Sequence, residues 1–433
     1  MIKINSTWIR IALLNFLIVA VLGTFLRFAF IKELFFLDYL HFQTAHWHLA
    51  IFGWVYQAMF VFIIGAFLTP EQQAQKKYRV LFWMNQILII IVFITLITKG
   101  TSFVSVYEDI FFLFLTGFFV FSLLKDLRAS GVSKNLLSVE LLKVALFFLL
   151  ISFIGIISIL PIEYFFSAKR SVLYYLSSQF FLHFQYNGWF IFGILSLFFR
   201  MIENYGIEIN THKFRLFKWM TFSAVLITYF LNIYWGYPGY LVFLWIASVA
   251  GGGIQFFALL FIRKDISKIF GQLKPHLNPI TIILFKISYI SFIIKLILQV
   301  IIFYPPLANI ALTIRNYTIA YFHLVFLCIA SVFLIAWKIQ YKQFSVIEKK
   351  SNIGIYVFSI SLLLLEFVLF LQGTLLWMGM GFFPFYYELI FLITLALPIG
   401  IILIIFQNKN LSYFGVSKDN LIKQNTKHVN QHL

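Results

Sequence analysis

The chain has 433 residues, of which 62% are hydrophobic and 11% are charged, and its formal net charge is +18. A soluble globular protein does not need this much apolar surface, whereas repeated apolar runs of about 20 residues are typical of transmembrane helices. The composition therefore excludes a soluble protein and predicts an all-α, polytopic membrane protein. The positive charge does not indicate nucleic acid, because lysine and arginine collect in the short cytoplasmic loops of such proteins, beside anionic lipid.

Apolar windows separated by polar or turn-forming breaks predict a bundle of twelve transmembrane helices. The predicted spans are 8–31, 45–69, 79–98, 107–124, 142–164, 177–201, 214–235, 239–262, 279–303, 316–338, 352–373 and 384–407. Because the breaks are short, we expect a single transmembrane domain over residues 1–407. Residues 408–433 are polar and are predicted to form a cytoplasmic tail.

The distribution of positive charge predicts the orientation of the bundle. If both termini and every second loop face one side, that side collects 25 of the 33 lysines and arginines. Cytoplasmic loops carry the excess of these residues. The pattern therefore predicts twelve spans with both termini in the cytoplasm.

Three of the predicted spans carry histidine at a similar depth. His46 and His48 open span 2, His183 lies in span 6 and His323 lies in span 10. Even-numbered spans enter from the outer face, so these imidazoles are expected in the outer third of the bilayer. Polar groups inside hydrocarbon are costly and usually mark a site, and neutral imidazole is the commonest protein ligand for iron, copper and zinc.

Each histidine also has an ordinary interpretation. His46 and His48 are two residues apart and point about 200° from one another on a helix, so one of them can face a given cofactor while the other faces a neighbour. Both could instead be interfacial residues beside Trp47. His323 could be a packing residue that is hydrogen-bonded within the bundle.

The surroundings of His183 and His323 are polar or aromatic. Near them in the sequence are residues that could line a cavity or support a ligand, namely Gln185, Tyr186, Asn187 and Tyr321. The alternative for the polar residues of span 6 is hydrogen bonding between helices.

Two buried charges, Lys295 in span 9 and Glu366 in span 11, are predicted at matching depth. Intramembrane charges usually pair or line a water path. They indicate an ion pair or a proton-handling element, and a secondary transporter with a path through Lys295, Glu366 and His183 is an alternative function. A non-catalytic membrane assembly subunit is the third possibility.

Two motifs then resemble a known family. Thr44-Ala45-His46 in span 2 and Tyr321-Phe322-His323-Leu324-Val325 in span 10 resemble the haem-binding motifs of subunit I of the haem-copper oxidase superfamily, which includes nitric oxide reductases. The resemblance implies a low-spin haem b held by His46 and His323. His-x-His-x3-Phe-Gly in span 2 is also similar to a motif of membrane haem proteins of the nitric-oxide stress response, where His48 would be the ligand instead. Outer-surface cations that could hold haem propionates are Lys169, Arg170 and Arg315.

The chain departs from the family at its dinuclear centre. Tyr321 stands where the family has the histidine that binds the high-spin haem, and span 7 at 214–235 lacks the family's two copper-binding histidines. His183 occupies the position of a copper ligand, but Phe-Gln-Tyr-Asn follows it instead of Pro-Glu-Val-Tyr. We therefore expect no copper centre and no intact oxygen-reducing centre, although His183 could line a cavity or hold a second metal.

The resemblance therefore implies a haem b-binding protein of the bacterial cytoplasmic membrane, working in electron transfer or in the handling or sensing of NO or O₂. If it is an enzyme, the resemblance implies an oxidoreductase of the cytochrome oxidase or nitric oxide reductase type. The expected partners are membrane lipid and an electron donor or other respiratory subunits. The sequence identifies no catalytic residue.

Overall fold

The computed structural model describes residues 5–35, 38–101, 103–132, 135–164, 171–236, 242–341 and 352–406. The long helices of these ranges are α1 (Ser6–Phe28), α2 (Tyr39–Phe67), α3 (Lys76–Lys99), α4 (Phe103–Ala129), α5 (Leu137–Tyr164), α6 (172–204), α7 (Thr211–Gly236), α8 (Val242–Leu273), α9 (Pro279–Ile301), α10 (Arg315–Tyr341), α11 (Ile353–Trp377) and α12 (Tyr386–Phe406). Short helices at Pro70–Gln73 and Pro305–Thr313 lie in the connections after α2 and α9. The predicted tail at residues 408–433 lies outside the described residues, and so do Lys169 and Arg170.

Across the described ranges, eleven helices are long and apolar enough to cross a membrane. The chain is therefore a polytopic helical membrane protein. The remaining long helix, α6, contains the predicted span 177–201, and the polar side chains of His183, Gln185 and Asn187 reduce its apolar character.

Helix ends differ from the predicted spans where capping or charge decides them. α2 begins at Tyr39, before the apolar window, because the Asp38 carboxylate accepts a hydrogen bond from the His41 N–H at 3.0 Å and caps the helix. α8 continues to Leu273, well past its predicted end at residue 262, as a charged extension that contains Arg263 and Lys268. Hydropathy detects the end of the apolar part, and the helix itself can continue into water.

The bundle has an inner and an outer layer of helices. α2 is almost fully buried from His48 to Phe67, and long stretches of α6 and α10 are buried as well. Neighbours in the sequence pack side by side, and α12 packs against both α11 and α1. The outer helices present apolar side chains outward, as in the α3 stripe of Ile87, Ile90, Ile91 and Ile94. Such faces match the hydrocarbon of a bilayer.

The three helices that carry His48, His183 and His323 share an irregularity that was not predicted from the sequence. α2, α6 and α10 each change from α-helix to π-helix directly after a histidine, over Leu49–Tyr56, Phe184–Phe190 and Leu324–Ser331. π-helical turns are rare and occur frequently at functional sites. These segments recur at every fourth helix, and the segment of α10 contacts those of α2 and α6 inside the bundle.

Candidate functional site

A cavity of about 310 Å³ lies among α1, α2, α10, α11 and α12, and both His46 and His323 line it. This volume is at the lower end of the range, roughly 300–1,000 Å³, that is typical of small-molecule and cofactor pockets. The structure thus brings together the two histidines that the resemblance predicted as a pair.

Three helices contribute one continuous stripe each to the cavity wall. The positions recur every three or four residues, which is the spacing of one helix face. They are Phe16, Val19, Ala20, Gly23, Leu26 and Arg27 on α1, Tyr39, Gln43, His46, Trp47, Ala50 and Ile51 on α2, and Arg315, Ile319, Phe322, His323, Phe326 and Leu327 on α10. The cavity therefore runs along the helices and has its imidazoles near the middle of two stripes.

His46 is held in a defined orientation. Its Nδ1 lies 3.0 Å from the main-chain oxygen of Val19 on α1. Because a carbonyl oxygen can only accept, Nδ1 carries the hydrogen and Nε2 keeps the lone pair that binds a metal. The close approach of α1 depends on Gly23, where a Cβ would lie 3.1 Å from Cε1 of His46.

His323 reaches the cavity from α10. Its side chain is 21% exposed, and its Nδ1 is 4.0 Å from Oε1 of Glu366 on α11. His46 lines the same cavity from α2. Imidazoles from two different helices therefore share one elongated cavity.

Two arginines give one part of the cavity wall a positive charge. Arg27 of α1 and Arg315 of α10 both line the cavity. The guanidinium carbon of Arg315 lies 5.6 Å from the centre of the Tyr39 ring, a cation–π contact that holds this side chain over the cavity. Two adjacent guanidiniums favour a ligand that carries carboxylates.

Aromatic side chains form much of the remaining wall. Phe16 stacks on Trp54 with ring centres 4.6 Å apart, and its edge meets Phe358 at 5.8 Å. Phe322 and Phe326 line the α10 side. Flat, apolar walls of this kind suit an aromatic ligand and exclude water.

His48 lies on the opposite side of α2 from His46. Its Nε2 is 2.8 Å from the Asp109 carboxylate of α4, and its ring packs on Phe52. Because His48 faces α4, it is outside the wall of the cavity that contains His46.

His183 is separate from the cavity as well. Its Nε2 lies 2.8 Å from the main-chain oxygen of Val225 on α7, and the Asn187 amide lies 3.3 Å from its Nδ1. Both ring nitrogens are thus engaged by protein groups. Within the described ranges, no three His, Cys, Asp or Glu side chains form a cluster that could hold a metal ion.

The other predicted residues around His183 link helices. Gln185 donates to the Ser152 hydroxyl on α5 at 2.9 Å. Tyr186 on α6 meets Tyr321 on α10 edge to face, with ring centres 6.2 Å apart. These contacts join α6 to α5 and α10.

Lys295 and Glu366 have separate neighbours. Lys295 is fully buried on α9 and donates to Oε1 of Gln299 at 2.8 Å. Glu366 is 7% exposed and faces His323. The two predicted charges therefore belong to different surroundings in the described structure.

The sequence analysis did not identify Val19, Gly23 and Arg27 as site residues. Val19 acts through its main-chain oxygen and Gly23 through having no side chain, so neither leaves a chemical signal in the sequence. Arg27 did leave one, because it is a charge within the first apolar window.

No protein-family model and no curated protein matches the chain.

Proposed function

We propose that the chain is a haem b-binding integral membrane protein related to subunit I of the haem-copper oxidases, and that His46 and His323 would hold the haem. It would work in electron transfer, or in the handling or sensing of NO or O₂, in the bacterial cytoplasmic membrane with an electron donor or respiratory partner. The proposed topology is twelve spans with both termini in the cytoplasm.

One observation carries this proposal, namely that His46 and His323 line the same cavity from two helices. His46 already has the tautomer of a metal ligand, since its Nδ1–H donates to Val19. The donor set of two neutral imidazoles, two guanidiniums and aromatic walls fits an iron porphyrin, whose ring is flat and whose propionates are anionic.

When bound, the haem would supply one-electron redox chemistry. The chain's own residues have three tasks around it. His46 and His323 would hold the haem, Arg27 and Arg315 would bind its propionates, and the phenylalanines would exclude water. With two imidazole ligands, the haem would favour electron transfer over binding of a gas.

The contacts of His183 support the proposal that the chain has no copper centre. Its two nitrogens bond to Val225 and Asn187, and it stands against α7, which has no histidine from Phe214 to Trp235. His183 is therefore proposed to join α6 to α7.

The test is a reduced-minus-oxidised absorbance spectrum of the purified full chain. We expect the bands of a six-coordinate b-type haem, and we expect His46→Ala and His323→Ala each to abolish that spectrum. His48→Ala is the matched control on the same helix and should keep the spectrum, because His48 faces Asp109.

Protein that is free of pigment would contradict the proposal, as would haem bands that survive both alanine substitutions. Loss of the bands with His48→Ala, and not with His46→Ala, would move the α2 ligand to His48. Pigment-free protein that carries a solute across vesicle membranes would favour the transporter.

A further inference from the structure

Glu366 is a buried carboxylate on α11 whose hydrogen-bonding capacity is unused. Glu366 is 7% exposed, and among the described residues neither carboxylate oxygen has a hydrogen-bond partner. A carboxylate buried in a membrane protein is expensive, so it usually serves a partner or a function.

The group that faces Glu366 is unsatisfied too. Nδ1 of His323 has no hydrogen-bond partner in the described part of the chain, and it lies 4.0 Å from Oε1 of Glu366. That separation is roughly 1 Å longer than a hydrogen bond. α10 and α11 pack against each other here, so a small rotation of the imidazole about its own side-chain bonds would close the gap.

The Nδ1 atoms of the two cavity histidines therefore face different chemical groups. Nδ1 of His46 donates to the neutral main-chain oxygen of Val19 at 3.0 Å. Nδ1 of His323 faces an acidic side chain. A hydrogen bond to a carboxylate is stronger than one to a carbonyl, and it makes the imidazole a better electron donor to a metal.

We propose, on the basis of the function proposed above, that Glu366 is a positioning residue that accepts a hydrogen bond from Nδ1–H of His323. This bond fixes the tautomer with the lone pair on Nε2 and turns that atom toward the cavity. The extra electron donation stabilises ferric over ferrous iron, so Glu366 lowers the reduction potential of the site.

The test measures the reduction potential by spectroelectrochemistry and the ferric signal by electron paramagnetic resonance, with the full-length chain in detergent. Glu366→Gln keeps the size of the side chain and removes its charge. We expect this variant to favour ferrous iron at least about tenfold more than the unmodified protein, a rise of about 59 mV for one electron, with a changed ferric signal. Glu388→Gln is the control, because Glu388 is an exposed acidic residue on α12, and its potential should equal that of the unmodified protein.

The outcomes separate this inference from the function on which it rests. If the unmodified protein binds no haem, the proposed function fails first. If it binds haem and Glu366→Gln leaves both the potential and the ferric signal unchanged, the role of Glu366 is wrong and the haem site stands. Should Glu366→Gln fold but lose haem, Glu366→Asp decides, since recovery with a carboxylate supports the inference and continued loss contradicts it.

Discussion

Gly23 and His46 meet across the interface of α1 and α2, and the contact leaves no room for a side chain. A Cβ on Gly23 would lie 3.1 Å from Cε1 of His46, so a larger residue must displace the imidazole or fill the cavity. Overpacking of this kind costs about 1–3 kcal/mol. We therefore expect Gly23→Leu to lower haem affinity roughly tenfold, measured as the fraction of purified protein that retains haem.

The control for that substitution is Gly253 on α8. Apart from its own stretch of helix, no described atom lies within 4 Å of the position that its Cβ would take. Gly253→Leu should therefore keep the haem content of the unmodified protein. An equal loss from both variants would mean that Gly23 has no special relation to the site.

At the level of single residues, the sequence indicates the proposed ligands better than their surroundings. His46 and His323 stood out because imidazole is costly inside a membrane and because their neighbours resembled known motifs. Nδ1 of His46 contacts the main-chain oxygen of Val19, 27 residues earlier in the chain. Every residue has such an oxygen, so the residue type at position 19 cannot indicate this contact. The proximity of Glu366 to His323 also required knowledge of how α10 and α11 pack.

The π-helical segments of α2 and α10 are joined by one buried hydrogen bond. Nε1–H of Trp54 donates to the hydroxyl of Ser331 at 2.7 Å. We expect Trp54→Phe to remove this bond and to lower the free energy of unfolding by about 1 kcal/mol beyond the loss of ring volume. Thermal unfolding in detergent measures the change.

Trp189 on α6 is the matched control, because it occupies the corresponding place in the π-helical segment of that helix. It is fully buried, and its Nε1–H has no hydrogen-bond partner among the described side chains and main chain. Trp189→Phe loses the same ring volume and no hydrogen bond, so it should destabilise the protein less than Trp54→Phe does. Equal destabilisation would show that the Trp54–Ser331 bond contributes nothing measurable.

At the level of helices, hydropathy predicted that the spans exist, because lipid demands an apolar exterior wherever a helix crosses. It could not predict the charged extension of α8 or the π-helical segments, which depend on solvation outside the membrane and on packing inside it. The sequence does contain one pattern that coincides with two of the π-helical segments. His48-x4-Gly53-Trp54 and His183-x4-Gly188-Trp189 share one pattern, and each contains the start of a π-helical segment.

The orientation of the whole molecule can be tested with single cysteines. The charge distribution predicts that the connection between α11 and α12 lies outside and that the charged extension of α8 lies inside. We expect Met380→Cys, at a position 65% exposed, to react with a membrane-impermeant thiol reagent in intact cells. Lys268→Cys should react only after the membrane is opened.

The natural thiol does not interfere with this experiment. Cys328 is the single cysteine of the chain and is 1% exposed, so the unmodified protein gives the background. Labelling of Lys268→Cys from outside would reverse the proposed topology. The number of spans enters the same test, because one span more or fewer between the two positions would place them on the same side.

The π-helical segments of α2, α6 and α10 also affect how these helices can tolerate the deletion of a residue. Removing one residue from an ordinary helix rotates everything beyond it by about 100°. A π-helical turn holds surplus chain, so a single-residue deletion within it can tighten the turn to α-helix and leave both flanks in phase. The inner helices could thus vary in length by one residue just past their histidines without turning those imidazoles away from their partners.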